Sequence, residues 1–319
     1  MNSASIPRDG TLAADRIGGH IRKTPMEHSA YFSELTGANV WLKLENLQIT
    51  GSFKLRGAFN KLLSLSPQQT AGGCVTASSG NHGAAVAYAM NELGIKGVVF
   101  VPETASSAKV DAIRRAGAEV QFFGTDGLDT EQHARQYAAD KKMTYLSPYN
   151  DADVIAGQAS CGVEIADQIE NVDALFVAVG GGGLISGVAG FLKSVHPHMQ
   201  VLGCQPAASA VMAASAKAGQ LLDMPSEPTL SDGTAGGIEA GAITFDLCQS
   251  LVDDYILVSE ADIAEAMREF IDAHHMLLEG AAGVALAGLK QIGDRYRGRD
   301  VVVIVCGANI NRETLRSVV

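Results

Sequence analysis

Residues 174–195, ALFVAVGGGGLISGVAGFLKSV, decide how the chain folds. Ala174 to Val179 are apolar throughout, the pattern of a strand with no solvent face, covered on both sides. Gly180, Gly181, Gly182 and Gly183 follow, and Leu184-Ile185-Ser186-Gly187 opens a helix-like run. A strand that turns through glycine into a helix is the building unit of parallel α/β sheets. Four glycines also let successive backbone N–H groups face one concavity at the positive end of a helix dipole, a cradle for phosphate. One or two glycines would satisfy a merely tight turn, so the run points to anion binding.

The same alternation continues on either side. Strand candidates are 40–44, 73–77, 97–102, 119–123, 174–179, 201–204, 255–258 and 300–306. Helix-like stretches with apolar residues at i, i+3, i+4 include 52–64, 81–93, 107–116, 128–141, 157–169 and 260–274. This predicts an α/β protein with mostly parallel sheets covered by helices. The least regular stretch, Met224–Ala242, holds Pro225, Pro228 and SDGTAGGIEAGA; a loop of that length in a compact domain is more often functional than not.

A chain of 319 residues suits two compact lobes or one large unit. Apolar residues make up 47%, enough for a sizeable core. Lys+Arg 24 against Asp+Glu 35 gives a net charge of −11, which opposes nucleic-acid binding. Cys74, Cys161, Cys204, Cys248 and Cys306 show no ligand-like spacing, so neither a zinc site nor a disulfide framework is expected. With no signal-like start and no unbroken apolar run of membrane length, a cytoplasmic protein is expected.

Phosphate at the Gly180 turn does not mean a dinucleotide. Positions 181, 183 and 186 read Gly, Gly, Ser, and the next strand ends Gly203-Cys204-Gln205 without the carboxylate that a nicotinamide fingerprint requires. An oxidoreductase is therefore the distant alternative, beside a silent phosphate-ligand binding protein. Two further glycine-bearing junctions carry chemistry. In Thr50-Gly51-Ser52-Phe53-Lys54-Leu55-Arg56-Gly57, Lys54 stands in the first turn of a helix among small and aromatic residues. A partly buried lysine has a lowered pKa and suits Schiff-base chemistry, although an exposed lysine would read alike from this heptad alone. Arg56 reads as a structural ion-pair partner. In Ala77-Ser78-Ser79-Gly80-Asn81-His82-Gly83, serine hydroxyls and helix-start amides suit a carboxylate, or simply cap a helix.

LENLQITGSFKLRGA, TASSGNHG, VAVGGGGLISG and VCGANIN together resemble the fold-type II pyridoxal-phosphate enzymes, in the branch of serine/threonine dehydratases and serine racemases. The likeness runs from about His20 onward and implies a two-domain, tryptophan-synthase-β-like architecture. The cysteine synthase branch, with SVKDR and SGNTG, is less similar. The resemblance implies pyridoxal 5'-phosphate held by Lys54, with Lys54 also the α-proton base. It implies Phe53 beside the cofactor ring, Asn81 on its 3-hydroxyl, and the amides of Gly180, Gly181, Gly182, Gly183 and Leu184 on its phosphate. It sets Cys306 at the pyridine nitrogen, Glu279 close to the cofactor, and Ser78, Ser79, Gly80, Asn81 and His82 on the substrate carboxylate. A neutral thiol at the pyridine nitrogen favours β-elimination. The implied reaction is loss of the β-hydroxyl of a 3-hydroxy-L-amino acid, giving a 2-oxo acid and ammonia, with Lys54 and Ser79 as catalytic residues. Racemisation is the alternative, since Ser79 matches the opposite-face acid/base of serine racemases.

Departures refine these expectations. Relatives that bind a divalent cation do so beside VEPSNADD; here Gln205-Pro206-Ala207-Ala208-Ser209-Ala210-Val211 lacks both carboxylates, so no metal is expected there. The loop from Ser231 departs into Gly236-Gly237, resembling sub-branches linked to hydroxyectoine breakdown and to 3-phenylserine. With Tyr149 in Ser147-Pro148-Tyr149-Asn150, these glycines are expected to line the side-chain pocket. The chain stops soon after VCGANIN, which suggests no amino-acid-sensing domain and no feedback inhibition by isoleucine. The expected domains are 1–72 with 148–319, holding the cofactor, and a small mobile domain, 73–147. A small-molecule amino acid is the expected partner, without nucleic acid or membrane, in a homodimer or homotetramer.

Overall fold

The computed structural model describes residues 1–319, the side chain of Ala108 excepted. Ten strands run in chain order: β1 Met26–His28, β2 Asn39–Leu44, β3 Cys74–Ala77, β4 Gly97–Val101, β5 Glu119–Phe122, β6 Thr144–Tyr145, β7 Ala174–Ala178, β8 Gln200–Pro206, β9 Asp254–Val258 and β10 Asp300–Val305. They form a six-stranded sheet, β1-β2-β10-β7-β8-β9, and a four-stranded sheet, β5-β4-β3-β6. All neighbours are parallel except β1 with β2. The chain thus has the α/β architecture of parallel sheets under helices that the alternation predicts.

The central strands of the large sheet are β-branched and apolar because both faces are covered. Helix Gly280–Ile292 packs on β7, β8 and β10, while helix Gly183–Val195 packs on β7 and on helices Ile6–Ile17 and Ala152–Gln168. In the small sheet the pleat divides the side chains between two clusters. Cys74, Val99 and Val101 join the core with helices Lys54–Leu63 and Asn81–Glu92. Val75, Val98 and Phe100 pack with Ala134 and Ala138 of helix Gly127–Lys141.

The structure differs from the sequence pattern at several elements. Helix Ala152–Gln168 starts five residues before the expected Gly157, because Asp151 caps it by accepting the N–H groups of Asp153 and Val154 at 2.8 and 3.2 Å. β8 extends to Pro206 rather than ending at Cys204. β1 and β6 are too short, at 3 and 2 residues, to leave a period in the sequence.

Helix Lys54–Leu63 ties the layers together, packing on Ala152–Gln168 and on Asn81–Glu92. Its crossing with Ala152–Gln168 is close enough that a Cβ on Gly157 would lie 2.6 Å from the Gly57 Cα.

Candidate active site

Ligands of parallel sheets bind beyond the carboxyl ends of the strands. Here the end of β10 receives the segment that leads to Lys54. Phe53 N–H donates to the Cys306 carbonyl at 3.1 Å, and Ala308 N–H donates to the Gly51 carbonyl at 2.9 Å. Gly51 takes φ +73°, a backbone conformation open to glycine at little cost. Helix Lys54–Leu63 then starts with Lys54 itself, whose ammonium donates to the Pro148 carbonyl at 2.9 Å and lies 5.2 Å from the Phe53 ring centroid. Burial pushes the Lys54 amine down to about 8, against the opposing influence of Cys306 and Glu279. Lys54 is thus a partly buried amine rather than a surface charge.

Arg56 anchors this helix from beneath. Its buried guanidinium makes paired 2.8 Å hydrogen bonds to both oxygens of Glu45 and to both oxygens of Glu164. Lys43 donates to the same Glu164 at 2.6 Å, so two cations and two carboxylates balance in the interior.

The turn after β7 brings Gly180 to Gly183 to the start of a helix. Gly182 adopts φ +84° and caps helix Gly183–Val195, whose first amides face outward from its positive end. The Tyr149 ring covers the turn so closely that a Cβ on Gly181 would lie 2.4 Å from its carbons. Thr234 closes the side of Gly180, and Leu184 is buried in the first helical turn. Side chains at these positions would collide with Tyr149 or Thr234, so glycine is what lets the turn pack here, and its amides at a helix start suit a phosphate.

The third expected group gathers opposite. Asn81 Nδ2 donates to both carboxylate oxygens of Glu279, at 2.8 and 2.9 Å. Burial pushes the Glu279 carboxyl up to about 7, despite the hydrogen bond from Asn81, and nearby Asp232 adds to the rise. Cys306 is buried, and desolvation holds its thiol well above the usual range, so it stands as a neutral group. Ser78 Oγ accepts the Gly80 N–H at 3.2 Å, whereas the Ser79 hydroxyl has no hydrogen-bond partner among the described residues. The His82 ring turns away into the small sheet, with Nε2 3.1 Å from the Leu146 carbonyl. Burial pushes its pKa down to about 3, and so the neutral ring donates to that carbonyl.

Gly236 and Gly237 are exposed, and their link to the site is indirect. Gly236 N–H donates to Ser209 Oγ at 3.2 Å, and Glu239 N–H donates to the Tyr149 hydroxyl at 2.9 Å. Sequence reasoning missed Pro148 as an acceptor, Thr234 as a wall, and Asn309, which donates to Asn81 Oδ1 at 2.7 Å. Each acts through tertiary contact, and a place inside VCGANIN was the only signal for Asn309.

A primary amine on a helix start, a glycine anion cradle, a neutral buried thiol and an amide held by a carboxylate are compatible with a phosphorylated aldehyde cofactor. The profile of the family described as pyridoxal-phosphate dependent enzyme matches residues 17–307. Among curated relatives, the catabolic L-threonine dehydratase TdcB of Staphylococcus aureus is 39% identical over 303 residues, 94% of this chain and 87% of that protein. The processed form of threonine deaminase isoform 2 from Solanum lycopersicum superposes with a TM-score of 0.94 at 32% identity, covering 100% of this chain and 93% of that one. Maize serine racemase superposes with a TM-score of 0.92 at 29% identity, covering 98% and 95%.

Proposed function

The chain belongs to the pyridoxal-phosphate dependent enzyme family, and on that premise we propose that it is an ammonia-lyase of the threonine/serine type. It would remove the β-hydroxyl of a 3-hydroxy-L-amino acid and release a 2-oxo acid and ammonia. The observation that carries this reading is the neutral Cys306 thiol at the end of β10, together with the partly buried Lys54 amine. The threonine dehydratases among the relatives support the same reading.

When bound, the cofactor supplies the electron sink that makes an α-proton removable. Lys54 would hold it, beside Phe53. The amides of Gly180 to Leu184 would take its phosphate, Asn81 its ring hydroxyl, and Cys306 would face its ring nitrogen. An amine with a pKa of about 8 is partly neutral near physiological pH, so Lys54 can take a proton and return it. The backbone amides of Ser78 to His82 would seat the substrate carboxylate and set the direction of the Cα–H bond. The Cys306 thiol adds no charge that would prolong a carbanion, so expulsion of the β-hydroxyl is the outlet. One water leaves from the substrate and one is taken up as ammonia departs.

Residues 73–147 would act as the small lobe that closes over the substrate and excludes water, with 1–72 and 148–319 as its base. Racemisation would ask Ser79 to serve as a second base. The threonine dehydratase and threonine deaminase among the relatives described above support elimination instead. The relatives name threonine and serine, and none of those described above gives support to phenylserine.

A substrate panel tests the reading. On cofactor-loaded protein, 2-oxo acid and ammonia should appear from L-threonine or L-serine. D-serine without 2-oxo acid would make the chain a racemase, and silence on both would reject the threonine/serine assignment. Borohydride reduction should leave a covalent pyridoxyl group on Lys54 alone.

A further inference from the structure

We propose that Asn309 is a positioning residue that dictates which way the Asn81 amide faces, and so which hydrogen bond Asn81 can offer the cofactor. The inference rests on the functional reading above and extends it to a residue outside the expected set.

The two ends of an asparagine amide are nearly the same shape but opposite in hydrogen bonding, one accepting and one donating. Left alone, Asn81 could face either way. Here its choice is traced back to a group that cannot turn over. The Thr50 carbonyl can only accept, and Asn309 Nδ2 donates to it at 2.9 Å. Asn309 must therefore present its NH2 on that side, and the same nitrogen donates to Asn81 Oδ1 at 2.7 Å. Asn81 is left with its own NH2 facing Glu279, at 2.8 and 2.9 Å. The backbone N–H of Asn309 completes the ring by donating to Glu279 Oε2 at 3.2 Å.

Donation runs outward from Asn309, directly to Thr50 on one side and through Asn81 to Glu279 on the other. Space for it is provided by Gly51, where a Cβ would lie 2.6 Å from Asn309 Oδ1. Thr50 and Gly51 lead directly into the segment that presents Lys54, so one side chain couples the lysine segment to the loop after β3. Of the two hydrogens on Asn81 Nδ2, one would stay with Glu279 and the other would serve a ring oxygen that carries negative charge; a flipped amide would turn lone pairs toward it.

The test is Asn309→Asp, an isosteric change that leaves only acceptors against Thr50 O and Asn81 Oδ1. Two readouts apply to the cofactor-loaded protein: the pH at which the visible absorption band of the bound cofactor titrates, and the cofactor dissociation constant. The expected result is a displaced titration and roughly two- to twelve-fold weaker cofactor binding, the range of one hydrogen bond. In an Asn81→Ala background the same substitution should add nothing further to the displacement. Asn311→Asp, at a helix cap where the side chain accepts the Thr314 N–H at 2.8 Å, should leave both readouts unchanged.

If the aspartate prevents folding, Asn309→Ala should move the titration in the same direction by less. An unchanged band in every Asn309 variant would overturn the inference, as would equal displacement without Asn81 or with Asn311→Asp. A wild-type chain that acquires no cofactor band would instead reject the functional reading itself, and this inference with it.

Discussion

Arg56 and Glu45 share two parallel 2.8 Å hydrogen bonds with both side chains completely buried. Burial opposes the ionisation of Glu45, but the Arg56 charge and its hydrogen bonds outweigh it and hold the carboxyl below its ordinary range. Arg56 stands two residues beyond Lys54 on the same helix, so this pair fixes the base on which the lysine is presented.

Arg56→Met should therefore destabilise the chain by about 3–5 kcal/mol, because Glu45 and Glu164 would lose a buried partner. Urea unfolding measures it, and a change below ~1 kcal/mol would contradict the account. The sign for Glu45 follows from its lowered pKa. Its contribution is present above the unfolded carboxyl pKa and is lost as pH falls through the lower folded value.

Gly181→Ala should weaken cofactor binding roughly ten-fold or more while the fold survives, since the added methyl meets the Tyr149 ring at 2.4 Å and overpacking of this kind costs ~1–3 kcal/mol. Cofactor titration by absorbance reads the loss. Adding Tyr149→Ala should recover part of it by vacating the ring's place; no recovery would mean that the contact is not the cause.

Lys54 should capture an aldehyde at a rate that rises as pH approaches about 8 and then levels, whereas an ordinary surface lysine keeps gaining up to its usual value near 10.5. Reductive labelling of the cofactor-free chain, mapped by mass spectrometry across pH, separates the two. A Lys54 profile indistinguishable from that of exposed lysines would remove the case for a desolvated amine.

Glu279 titrates in the opposite sense to a paired surface carboxylate. Its folded pKa is raised to about 7 from an ordinary 4.5, so the folded chain binds the proton more tightly. Between those pH values its effect on stability is favourable on the acid side and diminishes as pH rises. Glu279→Gln should flatten that slope in the cofactor-free protein, which denaturant midpoints measured across this window would detect. An unaltered slope would show that burial does not govern this carboxyl.

The strand–glycine–helix unit at 174–195 is legible because its signal is local: six apolar residues, four glycines and a helical period. Lys54 in a first turn and the serines before Asn81 are legible as residue types in a local pattern, whereas Cys306 is picked out by the resemblance alone. Met26–His28 and Thr144–Tyr145 are not legible, being too short to show a period. The start of helix Ala152–Gln168 is not legible either, because the apolar period shows only from Gly157 and the Asp151 cap appears in the structure alone. Asn309, Thr234 and the Pro148 carbonyl were hidden for a different reason: each acquires its function from a partner far along the chain.

What the sequence by itself determined, then, is the class of fold, the cofactor family and the short segments proposed to meet it. Backbone periodicity, glycine and residue chemistry act over a few positions and survive without coordinates. Tertiary structure alone decided the environment of each group. It set the Lys54 amine down to about 8, the Glu279 carboxyl up to about 7, the His82 ring away into the small sheet, and the Asn81 amide with its N–H groups toward Glu279. Desolvation and hydrogen-bond direction depend on which distant segments pack together, and no local pattern in the chain encodes that.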